Sequence, residues 1–123
     1  MLTIRSVPGY IVRVYDGDTV YVDLDLGWRF WRRNEPVRIA NICCPENNTP
    51  AGRASRAYAV SLVIPGESCE VHVLKWQEKY GRTLGLISFR GGQDFGGLMI
   101  QSGHARPGDG KKGLVTSLFN EEA

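Results

Sequence analysis

The stretch Tyr10-Ile11-Val12-Arg13-Val14-Tyr15-Asp16-Gly17-Asp18-Thr19-Val20-Tyr21-Val22-Asp23-Leu24-Asp25-Leu26 decides the architecture. β-Branched and aromatic residues fill both halves, and the end of the second half alternates polar with apolar, as a half-buried strand does. Asp16-Gly17-Asp18 between them carries the Asp-Gly signal of a tight turn, so the spacing predicts a hairpin. Gly27 then marks a turn into Trp28–Asn34, and Pro36-Val37-Arg38-Ile39-Ala40-Asn41-Ile42 reads as a third strand. Three strands with short links predict an antiparallel meander.

Outward from the meander the period changes. Thr49 is placed to cap a helix whose first position is Pro50, where the missing N–H costs nothing. Ala51, Ala54, Tyr58 and Leu62 recur at helical spacing until Pro65-Gly66 stops the run. Cys69–Trp76 alternates again as a fourth strand, the loop Gln77–Arg82 follows, and Leu84–Phe89 is a fifth. Asp94 caps a short helix, Phe95–Ser102, ended by Gly103. The order βββ-α-ββ-α is mainly β with helices (α+β) and predicts a five-stranded OB-type barrel, a fold that often handles oligonucleotides.

Composition bounds the function classes. A chain of 123 residues is one domain by length, and at that size about two-thirds of the unfolded surface can be buried without a disulfide or metal staple. Hydrophobic residues at 42% and charged residues at 23% exclude disorder, collagen and coiled coil. No apolar stretch approaches the ~20 residues of a membrane helix, so no membrane span is expected. The first residues lack the apolar core and cleavage site of a secretory signal, which gives an expectation of cytoplasmic localisation. A net charge of +2 permits nucleic-acid binding without arguing for it. Cys43, Cys44 and Cys69 are odd in number with no CxxC pair, so reduced thiols are expected rather than a disulfide framework or a zinc site.

Three clusters mix charge with rigid turn residues. Asp16-Gly17-Asp18-Thr19 sets two carboxylates around a glycine, which suits either a hard cation or a plain hairpin. Arg38-Ile39-Ala40-Asn41-Ile42-Cys43-Cys44-Pro45-Glu46 puts an arginine in a strand and a glutamate after a proline-fixed bend. That arginine needs a partner, which a phosphate, Glu46 or Asp18 would supply. Glu78-Lys79-Tyr80-Gly81-Arg82 delivers a second arginine from a loop. In this order and on this element pattern the clusters resemble the staphylococcal nuclease (thermonuclease) family. DGDT stands at 16–19, Arg38 is followed by Pro45-Glu46, and KYGR stands at 79–82. The resemblance runs from about Tyr10 to Arg106, which divides the chain into a nuclease-like OB domain over 1–106 and a tail over 107–123.

The resemblance implies calcium-dependent hydrolysis of phosphodiester bonds in DNA or RNA. It implies Arg38, Glu46 and Arg82 as catalytic residues. Glu46 would act on the attacking water, and the two guanidinium forks would neutralise charge building on the phosphate. It implies Asp18 and Asp16 at the metal with the backbone carbonyl of Cys44, and Lys79 and Tyr80 on a neighbouring phosphate. Cys43 departs from the pattern, because the family places a ligand aspartate there. Calcium takes about six to eight oxygens and a thiol offers none, so weakened calcium binding is expected. A catalytically inactive module binding nucleic acid or a protein is the alternative.

Two further departures bear on partners. The aromatics that the family carries beyond the last short helix are replaced by His104-Ala105-Arg106-Pro107-Gly108, and only a short tail follows. An uncovered barrel flank is therefore expected there, suited to a homodimer or protein partner. The addition is Trp28-Arg29-Phe30-Trp31-Arg32-Arg33. One reading makes it a grip on nucleic acid through Trp31, Arg32 and Arg33; the other turns Trp28 and Phe30 into the core with the arginines in water. His72 and His104 are expected to be structural or solvated. A stand-alone bacterial or phage protein would suit the bare domain.

Overall fold

The computed structural model describes residues 5–76 and 81–108. Its elements are β1 (Arg5–Asp16), β2 (Thr19–Gly27), β3 (Phe30–Ile39), β4 (Ile42–Cys43), α1 (Pro50–Leu62), β5 (Ser68–Lys75), β6 (Thr83–Phe89), β7 (Gln93–Asp94), α2 (Phe95–Gln101) and β8 (Arg106–Pro107). The five long strands form the sheet β3-β2-β1-β5-β6, and a parallel pairing of β3 with β6 closes it into a barrel. This is the expected OB-type barrel with two helices, and β4, β7 and β8 are short additions to it.

The barrel interior follows from strand periodicity. Val20, Val22 and Leu24 of β2 alternate inward, as do Val71 and Val73 of β5 and Ile87 and Phe89 of β6. On β1 both Ile11 and Val14 are buried although they are three residues apart. A bulge between Ile11 and Arg13 re-phases the strand, so two residues oppose one on β2 and the inward face is kept. Phe95 and Met99 of α2, with Ala59 and Val63 at the end of α1, cover the barrel.

The third strand differs from its sequence reading. It begins at Phe30 and ends at Ile39, because Asn41 takes a left-handed conformation (φ 69) that breaks the run before Ile42. Asparagine tolerates that conformation better than most residues do. The chain then restarts as β4, whose Cys43 pairs with Arg106 of β8. Both helix caps match expectation: Thr49 accepts from Gly52 N at 3.0 Å, and Asp94 accepts from Gly97 N at 2.8 Å. Among the described residues no helix is long and apolar enough to cross a membrane. The flank expected to lie open falls mostly on residues 109–123, outside the described residues.

Candidate active site

Three elements meet at one mouth of the barrel. The β1–β2 turn supplies Asp18, whose neighbour Thr19 is paired with Arg38 at the end of β3. Residues 37–39 of β3 in turn lie beside the start of β6, with Val37 opposite Thr83 and Arg38 opposite Leu84. Closing the barrel therefore brings DGDT, Arg38 and the loop carrying Arg82 to one place, though they are far apart in the chain.

Gly17 is required for room. A Cβ there would stand 2.3 Å from Ser55 Oγ and 2.7 Å from Cys44 Sγ, so the turn is pressed against α1 and the segment after β4. The Asp18 N–H donates to Asp16 Oδ1 at 3.1 Å, and Asp18 O accepts from Ile39 N at 2.9 Å. Asp18 is fully buried, with Thr19 Oγ1 on its Oδ1 at 3.3 Å and Arg38 Nη2 at 3.6 Å from its Oδ2. Asp16 is half-buried.

Arg38 is 5% exposed. Its Nη1 donates to Ile39 O, its Nη2 donates to Ile42 O at 2.9 Å, and Cys43 Sγ lies 3.8 Å from Nη2. Backbone carbonyls, Asp18 and the Cys43 sulfur thus surround one guanidinium. Cys43 and Cys44 are both buried free thiols. Glu46 is exposed beyond buried Pro45. Its carbonyl accepts from Thr49 N at 3.1 Å and Thr49 Oγ1 at 2.7 Å, and Gly52 packs so tightly on it that any Cβ would overlap the oxygen. The backbone at Glu46 is therefore fixed while the carboxylate meets solvent.

Arg82 is half-buried just before β6. Sequence reasoning missed the device beside it. Buried Glu35 accepts from Thr83 Oγ1 at 2.6 Å and from Arg32 Nε at 2.8 Å, tying β3 to the exit of the Arg82 loop. The available signal was an acidic residue, Glu35, directly before the third strand that begins at Pro36 in the sequence reading. Lys79 and Tyr80 lie outside the described residues.

The hairpin residues stand at the opposite end of β2. Trp31 stacks on Tyr10 with ring centroids 6.0 Å apart, and the Arg33 guanidinium lies 4.4 Å from the Trp31 ring. Arg33 also reaches Asp23 at 3.3 Å. Trp28 is 92% exposed and Phe30 69% exposed, which overturns the reading that turned them into the core. His104 stacks on Tyr58 at 4.8 Å, a structural contact as expected.

The described donors supply only part of a calcium shell. Among the described residues no three His, Cys, Asp or Glu side chains gather as a metal site. The Asp18 carboxylate is sealed against Arg38 and Thr19, and the residue at 43 is a thiol.

The chain is similar to known nucleases. It is 33% identical over 100 residues to an uncharacterized endonuclease of Escherichia coli O157:H7, covering 81% of this chain and 60% of that protein. A micrococcal nuclease of Shigella flexneri is 32% identical over 120 residues, covering 85% of this chain and 64% of that protein. The chain thus spans about three-fifths of the length of the curated relatives it matches. No protein-family model matches it. Barrel topology, motif order and these likenesses agree on one class: the chain is a staphylococcal-nuclease-like OB domain.

Proposed function

We propose that the chain is an endonuclease-type phosphodiesterase acting on DNA or RNA, with metal binding weakened by the thiol at position 43. The observation that carries this reading is the β3–β6 closure, which sets Asp18, Arg38 and the strand that follows Arg82 at one mouth of the barrel. Likeness to an endonuclease and to a micrococcal nuclease supports it at family level.

The chemistry rests on three side chains. Arg38 and Arg82 are the proposed phosphate partners, because planar forks match phosphate oxygens and offset charge gathering in the transition state. Glu46 is the proposed base or water-positioning group, exposed on a backbone that Thr49 and Gly52 hold in place. Lys79 and Tyr80 are proposed contacts to a neighbouring phosphate, and Trp31, Arg32 and Arg33 to more distant substrate. Asp16, Asp18 and the Cys44 carbonyl are the oxygens left for the calcium that the resemblance implies, fewer than its usual shell. Three buried free thiols suit a reducing compartment, and cytoplasmic localisation is proposed on that ground.

The sealed Arg38–Asp18 pair favours the second reading, a catalytically silent module that binds nucleic acid or a protein. Cys43→Asp discriminates the two. It restores a carboxylate beside Arg38, and calcium-dependent cleavage of single-stranded DNA is expected to rise at least about tenfold, the scale on which a metal's oxygen ligands govern its binding. A folded Cys43→Asp protein with no cleavage at any calcium concentration favours the silent module.

A further inference from the structure

We propose that the tip of the β2–β3 hairpin, Trp28-Arg29-Phe30, is a second nucleic-acid contact that holds single strands by stacking on unpaired bases. It rests on the nucleic-acid substrate of the proposed function and names the part of that substrate the tip would take. Gly27 pairs with Phe30, so Trp28-Arg29 is a two-residue hairpin loop, and both residues have positive φ (57 and 64). Loops of this kind favour Asn-Gly, and a bulky residue there is strained. Here the strained positions carry a tryptophan and an arginine. Trp28 at 92% exposure and Phe30 at 69% bury little against the barrel, so folding gains little from them. Strain and exposed aromatic surface at one tip mark a surface built for a ligand.

Charge selects the ligand. Residues 28–33 hold three arginines and no carboxylate. Arg29 is exposed and makes no ion pair among the described residues. The carboxylates nearby are engaged below the tip: Asp25 accepts from Gly27 N at 2.9 Å, Asp23 from Asn34 N at 2.8 Å, and Glu35 from Arg32. Side chains of Arg32 and Arg33 keep 49% and 65% exposure despite their partners. Aromatic faces interleaved with guanidinium groups match a polyanion whose bases are unstacked, and duplex bases hide those faces. From Thr19 to Gly27 a strand rises roughly 25 Å, so a strand touching both the tip and the Arg38 cluster spans several nucleotides. That length lies within the footprint of about 4–16 nucleotides of an OB fold.

The test measures binding of fluorescein-labelled twelve-nucleotide oligothymidylate by anisotropy, in EDTA so that cleavage plays no part. Wild type is compared with Trp28→Asn/Arg29→Gly, which installs the sequence the turn prefers, and with Trp28→Ala and Phe30→Ala. The double variant is expected to hold or raise the Tm while affinity falls roughly 5- to 150-fold, the scale of one lost stacking contact. Should the double variant not fold, the single variants decide by the same fall in affinity. Unchanged affinity in folded variants overturns the proposal, as does wild-type binding of duplex equal to that of single strand. A dimer in sedimentation that the variants dissolve, without oligonucleotide binding, also overturns it and makes the tip a self-interface. Failure of cleavage by wild type in calcium bears on the proposed function alone.

Discussion

Gly17 and Cys43 show how single side chains set the candidate site. Gly17 lies between two acidic residues, yet its φ is not positive, so no left-handed turn demands it. What demands it is contact: Ser55 Oγ and Cys44 Sγ stand where a Cβ would go. Gly17→Ala is therefore expected to push the Asp16–Asp18 turn off α1 and cost about 1–3 kcal/mol, as overpacking does. Urea denaturation measures it, and an unchanged midpoint would contradict the packing argument. Cys43 acts by leaving charge out: it brings no carboxylate to Arg38, whose ion pair among the described residues is with Asp18. Removing either partner of a buried pair strands the other, which typically costs about 3–5 kcal/mol. Variants at these two positions thus test stability as much as chemistry. Cys69 is a separate case: burial, then the charges of Glu67 and Glu70, push its thiol up to about 12, so it is an inert core residue.

At the scale of elements, the turn from α1 into β5 carries a pH dependence. Burial alone would raise the Glu67 carboxyl, but hydrogen bonds from Arg90 and Ile64 N and the Arg90 charge outweigh it and hold it below its ordinary value. Arg90 Nη2 reaches both Glu67 at 3.0 Å and Leu62 O at 2.9 Å, so one side chain ties the helix end to the loop. A depressed carboxyl contributes stability above its unfolded value and loses it as pH falls through the folded one. The unfolding free energy from urea denaturation is therefore expected to drop more steeply in wild type than in Arg90→Ala below the ordinary carboxylate range, by under about 1 kcal/mol because the arginine is half exposed. Parallel acid profiles in the two proteins would refute the link. Elements of this kind were largely legible in the sequence. Alternation gave β2 and β5, and Thr49-Pro50 and Asp94 gave both helix starts, because local periodicity and capping fix them. The end of β3 was not legible, since the left-handed Asn41 stands where the chain leaves β3 for β4, whose partner β8 is far away in the sequence.

The whole barrel decides which distant residues meet. Motif order revealed that Asp18, Arg38 and Arg82 belong together, and the β3–β6 closure is what delivers them to one mouth. The Glu35–Thr83–Arg32 link could not be read, because two of its members are separated by the whole of α1 and β5. Nor could the hairpin be settled, since alternation in Trp28–Arg33 fits a core strand equally well until closure shows where its faces point. Closure also exposes the tension within the proposed site: the guanidinium proposed to meet phosphate is sealed by carbonyls and Asp18, while the proposed base Glu46 faces solvent. Digestion of single-stranded DNA and RNA by wild type, in calcium and in EDTA, beside Glu46→Gln, tests this most directly. The account predicts slow cleavage that needs the cation and falls at least about 100-fold in Glu46→Gln, the usual reach of a general base. Cleavage that survives Glu46→Gln, or none at all from folded wild type, would contradict it.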